Sequence, residues 1–306
     1  MTKPNFFIVG APKAGTTAMH QYLQGHPNIY MSAIKEPKYF CEDFPRIRYV
    51  SSEDQYLNLF KGATPEHLIV GESSTLYLSS AVALQNIYRF NPEAKILVML
   101  RNPVDMVYSL HSELLFQAIE AEPDFETAWR LQNKRSQGLH LPPGCLEPAY
   151  LQYRTIAQIG TQIEQLLQIF PKAQVKFILF EDFTRSTQTV YEQVVTFLGL
   201  STDGRTNFDQ IRENRARRFN ALSNALRDLR LAYRSSLLPV VFKSSLFMPI
   251  RVKLTRFVQR LDKLNSVRLK RQQLAPSLRQ ELLYQFKDEI IKVQQILNCD
   301  LSHWLS

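Results

Sequence analysis

Cysteine is scarce in this chain, with three in 306 residues. Cys41, Cys145 and Cys299 are widely separated and odd in number, and none enters a CxxC or Cys/His ligand spacing. That pattern indicates neither a cysteine zinc site nor a disulfide framework, and the three read as small buried hydrophobes. Long apolar runs are missing too. The opening "MTKPNFFIVG" is too short for a signal peptide or a membrane span, and "SSLLPVVF" is interrupted by Pro239. A cytoplasmic protein is the expectation. No internal repeat or low-complexity tract occurs.

What the chain does have is an ordinary globular composition with a formal charge of +9. Such a charge favours an anionic partner: a nucleotide, a sulfated or phosphorylated substrate, nucleic acid or a membrane surface. No aromatic-basic platform or recognition motif for nucleic acid appears, so a nucleic-acid partner is not expected. Compact apolar runs at 5–9, 67–72, 95–100 and 175–180 alternate with helical patterns at 16–25, 79–90, 103–117, 150–170 and 186–198. Continuous apolar strands separated by helix-length crossovers predict an α/β fold, a doubly wound parallel sheet flanked by helices. Strand signals stop beyond residue 200, and the last third reads as mainly helical with loops. One domain over 1–306 is expected, with an α/β core at 1–200 and a helical and loop extension at 201–306.

Ligands of such sheets bind in the loops that follow the strands. Three strands are followed at once by polar groups: Lys13, Thr16 and Thr17; Glu72, Ser73 and Ser74; Arg101 and Asn102. The first of these loops, "GAPKAGTT", has the two glycines of a triphosphate-binding loop, Gly10 and Gly15, but lacks the lysine that should follow Gly15. Its lysine sits earlier, at Lys13. Glycines there allow amides to approach an anion, the helix start adds its dipole, and Thr16 and Thr17 add hydroxyls.

"GAPKAGTT" resembles the 5′-phosphosulfate-binding loop of sulfotransferases that use 3′-phosphoadenosine 5′-phosphosulfate (PAPS). "VMLRNPVDMVYSLH" (98–111) is similar to the same family's 3′-phosphate segment, which assigns that phosphate to Arg101 and Ser109. "IKEPKYF" (34–40) resembles the segment of glycan-type and bacterial members that carries the catalytic base, here Glu36. "GESSTLYL" (71–78) and the C-terminal stretch 284–305 resemble further blocks of that group. The resemblance implies a P-loop-like fold and a single sulfotransferase domain. It also implies PAPS as sulfate donor, no metal, and a donor site of Lys13, Ala14, Gly15, Thr16, Thr17, Arg101 and Ser109, with Arg217 and Arg218 as candidates from the basic loop "RENRARRFN". Some glycan sulfotransferases have a lysine where this chain has Ser73, which shifts any second active-site lysine to Lys35 or Lys38.

Sulfuryl transfer gives Lys13 a purpose. The leaving 5′-phosphate gains negative charge as the S–O bond breaks, and a cation at that oxygen stabilises the transition state above the ground state. His111 and His140 compete with Glu36 for the base role because of the unperturbed histidine pKa, while His20 and His26 read as helix-surface and turn residues. The acceptor remains open among glycan, glycolipid and small metabolite, hydroxyl or amine. The basic amphipathic stretch 242–274 is a candidate membrane-surface contact or lid, or a helix packed on the core. Two other classes stay open: a P-loop nucleotide kinase or hydrolase, against which the lysine placement argues, and a non-catalytic nucleotide-binding module.

Overall fold

Apolar residues at successive positions form strand β1 (Phe6–Gly10), buried along its whole length as a strand covered on both faces must be. A computed structural model describes residues 2–209 and 273–306, and the backbone of 215–217 and 266–268. After β1 come α1 (Thr16–Gln24), β2 (Ile29–Met31), α2 (Glu53–Leu57), β3 (Ile69–Ser73), α3 (Ala83–Phe90), β4 (Lys95–Leu100) and α4 (Pro103–Phe116). Helices α5 (Phe125–Arg130), α6 (Gln132–Ser136), α7 (Tyr153–Ile156) and α8 (Ile159–Ile169) lead to β5 (Val175–Leu179), α9 (Phe180–Arg185) and α10 (Thr187–Phe197). Strands β6 (Arg215–Arg217) and β7 (Ser266–Arg268) and helix α11 (Pro276–Leu297) complete the described elements.

The first five strands make one parallel sheet in the order β2-β3-β1-β4-β5. From central β1 the chain goes to the edge strand β2, returns inward to β3 beside β1, and then crosses to β4 and β5 on the other side. The crossover between the two sides lies beside β1, and the carboxyl ends of the strands at such a point are where sheets of this kind bind ligands. Alternation along β1 divides the core. Phe6 and Ile8 join Met19, Leu23, Ile178 and Val194 on one face, while Phe7 meets Phe40 edge-on at 5.9 Å on the other.

Contacts divide the chain into two compact units. The first comprises Met1–Leu110, Gln152–Arg212 and Leu274–Ser306, and contains the parallel sheet. Within it α11 packs along α8, where the Glu289 carboxylate accepts from the Thr161 amide at 2.8 Å and hydroxyl at 2.7 Å. The chain end is fixed as well: the buried Trp304 donates its indole N–H to Glu181 at 2.6 Å and its carbonyl accepts from Asn102 Nδ2 at 2.9 Å. The second unit comprises His111–Leu151 and Glu213–Gln273. Its described part is organised by a buried Arg135–Glu120 pair, bidentate at 2.6 and 2.7 Å. Glu120 also accepts from the amides of Ala121 and Glu122 at 2.8 and 2.9 Å, so the buried charges are hydrogen-bonded as well as paired.

Three expectations need correction. Strand β2 was not expected, because three residues are too few to show an apolar run. The single helix expected over 150–170 is broken into α7 and α8, and Gln162 Nε2 takes the freed Thr155 carbonyl at 2.8 Å. Strands also occur beyond residue 200, where β6 and β7 pair antiparallel. Their three-residue, arginine-containing sequences carry no apolar signature.

Gly71, in β3, packs against the neighbouring strand. A Cβ there would lie 2.7 Å from Phe6 Cδ1 and 2.9 Å from the Phe6 carbonyl oxygen, which as backbone of the central strand has little room to yield. Gly71→Ala is expected to destabilise the protein by about 1–3 kcal/mol. Chemical denaturation should show a lower midpoint with an unchanged slope, and an unaltered midpoint would refute the overpacking.

Candidate active site

Between β1 and α1 the chain makes a turn held by close backbone packing. At Gly10 a Cβ would stand 2.8 Å from Leu78 Cβ and 3.3 Å from the Thr75 carbonyl. Gly15 has φ 88°, and a side chain there would meet Phe183 at 2.9 Å. Between them Lys13 sits at φ 60°, a left-handed conformation that costs a non-glycine residue on the order of 1–3 kcal/mol and collects at functional sites. The Ala11 amide donates to the Met99 carbonyl at 2.6 Å, and the Gly15 carbonyl accepts from Ala18 and Met19 at 3.0 and 3.1 Å. The amides before Ala18 open the helix and have no acceptor within it. No acidic residue occupies the first turn of α1. Lys13, Gly15 and Thr17 are partly exposed, and Ala14 and Thr16 are buried. An anion is the partner this arrangement suits.

Arg101, at the end of β4, reaches the same loop. Its Nη1 donates to the Lys13 carbonyl at 3.0 Å, and its guanidinium stacks on Phe180 at 4.6 Å. The next residue caps α4, with Asn102 Oδ1 accepting from the Val104 amide at 2.9 Å and Pro103 in the first helical position. Ser109 is buried farther along α4.

Glu36 is held from β3. Its amide donates to the Ser73 carbonyl at 2.9 Å, and its carboxylate accepts from the Thr75 hydroxyl at 2.9 Å and the Thr75 amide at 3.2 Å. Lys35 Nζ lies 2.9 Å from one carboxylate oxygen and Lys38 Nζ 4.0 Å from the other. Burial alone would raise its pKa. Lys35, Lys38 and the Thr75 amide outweigh that and hold it at about 2. Glu36 and Lys38 both adopt left-handed backbone, at φ 61° and 54°, on either side of Pro37. Because the Thr75 carbonyl packs on Gly10, the carboxylate and the glycine loop meet at one end of the sheet.

Beneath this segment lies Glu72, fully buried in β3. Its carboxylate accepts from Tyr77 at 2.6 Å, Ser74 at 2.9 Å and Tyr56 at 3.3 Å. Burial pushes its pKa up to about 7, against the lowering effect of the Tyr77 and Ser74 hydrogen bonds, and the nearby Glu36 charge adds to the rise. Sequence reasoning marked Glu72 and Ser74 as polar groups after a strand but gave them no part, and it passed over Thr75. The register of β3 against β1 sets Glu72 opposite Phe7, and Ser74 and Thr75 follow in the turn after the strand.

The remaining candidates are placed as follows. His111, in the second unit, is buried, with Nε2 2.8 Å from the Glu122 carbonyl and its ring edge-on to Phe125. Burial lowers its pKa. His20, read as a surface residue of α1, is instead 4% exposed. Packing of α1 against β2 brings its ring to the Ser32 backbone, and burial with the nearby Lys35 charge lowers its pKa to about 4. Arg217 lies in β6, while Arg218 and, apart from β7 and residues 273–274, the stretch 242–274 fall outside the described residues.

Comparison with known proteins adds independent support. Residues 3–231 match the sulfotransferase domain family. Carbohydrate sulfotransferase 15 of Rattus norvegicus is 28% identical over 254 residues, spanning 64% of this chain and 44% of that protein. Bifunctional heparan sulfate N-deacetylase/N-sulfotransferase 2 of Homo sapiens is 28% identical over 216 residues, spanning 65% of this chain and 22% of that protein. The chain thus spans less than half the length of these curated relatives. The crystal structure of a sulfotransferase from Alicyclobacillus acidocaldarius superposes over 100% of both chains, with a TM-score of 0.72 and 27% identity. A phosphate-type loop with a displaced lysine, in a chain matched by that family over most of its length, belongs to the sulfotransferase domain family.

Proposed function

We propose that the protein transfers the sulfuryl group of PAPS to an acceptor hydroxyl or amine by in-line displacement. One observation carries this reading: the Glu36 carboxylate, fixed by Thr75, stands at the sheet end where Lys13 is held in a left-handed turn clamped by Arg101. The opened amides of α1, with Thr16 and Thr17, suit the 5′-phosphosulfate, and Arg101 and Ser109 suit the 3′-phosphate.

In the reaction the acceptor oxygen or nitrogen attacks sulfur and gives its proton to Glu36. The S–O bond to the 5′-phosphate breaks with its electron pair on the phosphate oxygen, and adenosine 3′,5′-bisphosphate (PAP) leaves. Lys13 and the start of α1 stabilise that growing charge. A carboxylate held at about 2 is a weak base. Its basicity rises when the ammonium groups of Lys35 and Lys38 turn toward the anionic donor, because those charges are what depress it. The names of the mammalian relatives, a carbohydrate sulfotransferase and a heparan sulfate N-sulfotransferase, favour a saccharide acceptor.

Calorimetry should detect PAP binding, and no heat at millimolar nucleotide would refute the donor assignment. Lys13→Ala should lower kcat by about 10²–10³, the scale for removing one transition-state donor. A near-normal rate would remove Lys13 from the mechanism.

Glu36→Gln should lower kcat by about 10²–10⁴ while PAP still binds. In the free enzyme Glu36 stays ionised until pH falls toward 2, so kcat/KM for the donor should show no acid limb belonging to this residue near neutrality. Normal turnover by Glu36→Gln would pass the base role to another group, with His111 the first to test.

A further inference from the structure

Two polar side chains stand between the base segment and the core of the sheet, and the chemistry above uses neither. Ser74 Oγ donates to Glu72 Oε2 at 2.9 Å and accepts from the Lys38 amide at 3.0 Å. The Ser73 carbonyl takes the Glu36 amide at 2.9 Å, so consecutive residues of the β3 end hold both left-handed residues that flank Pro37. The Tyr49 amide closes the segment from the other side by donating to the Pro37 carbonyl at 2.9 Å. Glu72 is itself immobilised by the hydroxyls of Tyr56 and Tyr77. A hydroxyl that must donate to a buried carboxylate has its lone pairs left for an amide, and this fixes the direction of the whole chain of bonds.

We propose that Glu72, acting through the Ser74 hydroxyl, is a positioning residue that fixes the Lys38 amide and thereby holds Glu36 against Thr75 beside Gly10. This rests on the reading of Glu36 as the base. Ionised Glu72 accepts from all three hydroxyls. Once protonated it must donate to one of them, and when it donates to Ser74 the hydroxyl loses the acceptor for its own hydrogen, so the orientation that serves the Lys38 amide is no longer fixed. Among the described residues, the titratable groups facing Glu72 are Tyr56 from α2, Tyr77 from the turn after β3, and Glu36 and Cys41 from the segment after β2. Burial pushes the thiol and both phenols up, so these three remain neutral around neutrality. Glu36 is ionised there. Positioning is therefore intact above the Glu72 transition and is lost as pH falls through about 7.

Steady-state kinetics of the full chain with PAPS and a verified acceptor, run beside PAP calorimetry, tests this. The wild-type kcat/KM for the donor should carry an acid limb near pH 7, and Glu72→Gln should abolish it. Both Glu72→Gln and Ser74→Ala should lower kcat about tenfold with the PAP dissociation constant changed by less than about twofold, a loss confined to turnover. Ser74→Thr, which keeps the hydroxyl, should restore the rate. Wild-type kcat and an unchanged limb in Glu72→Gln and Ser74→Ala, beside an inactive Glu36→Gln, would overturn this inference alone. A fully active Glu36→Gln would overturn the base assignment and this inference with it. Should Glu72→Gln fail to fold, the Ser74 pair decides: equal rates for Ser74→Ala and wild type overturn the inference, and a loss rescued by Ser74→Thr supports it.

Discussion

The candidate site rests on close packing at the end of β1. Gly10 lies against Leu78 and Thr75, Gly15 lies against Phe183, and the carbonyl between them is taken by Arg101. The phosphate loop is thus clamped from β3 on one side, from β4 and α9 on the other. A loop free to move would satisfy its own amides. This one is held by those contacts, and the start of α1 that follows it is a place suited to an anion. The strain of Lys13 at positive φ is sustained by the same contacts, in keeping with functional residues held in costly conformations by their surroundings.

Charge is arranged around that loop with opposite effects on two nearby carboxylates. Glu36, beside Lys35 and Lys38, is pulled down to about 2, while Glu72, buried among hydroxyls, is pushed up to about 7. Separation of this kind lets neighbouring acids do different work. The partly buried member, Glu36, is suited to proton transfer under the proposed reaction, once an anion draws off its lysines. The buried member is suited to holding geometry. Neither lysine is a spare surface charge, since each adjoins the carboxylate whose basicity it suppresses.

Much of the site was legible from residue type and order. Gly10, Lys13, Gly15, Thr16 and Thr17 after an apolar run describe an anion loop whatever the rest of the chain does, because glycine freedom and helix-start amides are local properties. Arg101 was legible as a cation at a strand end. Glu36 was legible only through family likeness, since a glutamate between lysines is as often a solvated loop residue. His20 reads from the sequence as a helix-surface residue, and the packing of α1 on the sheet, β2 included, buries it. Strand β2 and the β6–β7 pair escaped notice because three residues carry no periodicity.

The sequence by itself therefore determined the sheet class, the glycine loop after β1 and the placement of its lysine at position 13 rather than after Gly15. All of these reside in short stretches whose physics needs no distant partner. The tertiary structure decided what Thr75, Ser74 and Glu72 do, and that Arg101 closes on Lys13. Those roles depend on the register of β3 and β4 against β1, which brings residues far apart in the chain within hydrogen-bond distance.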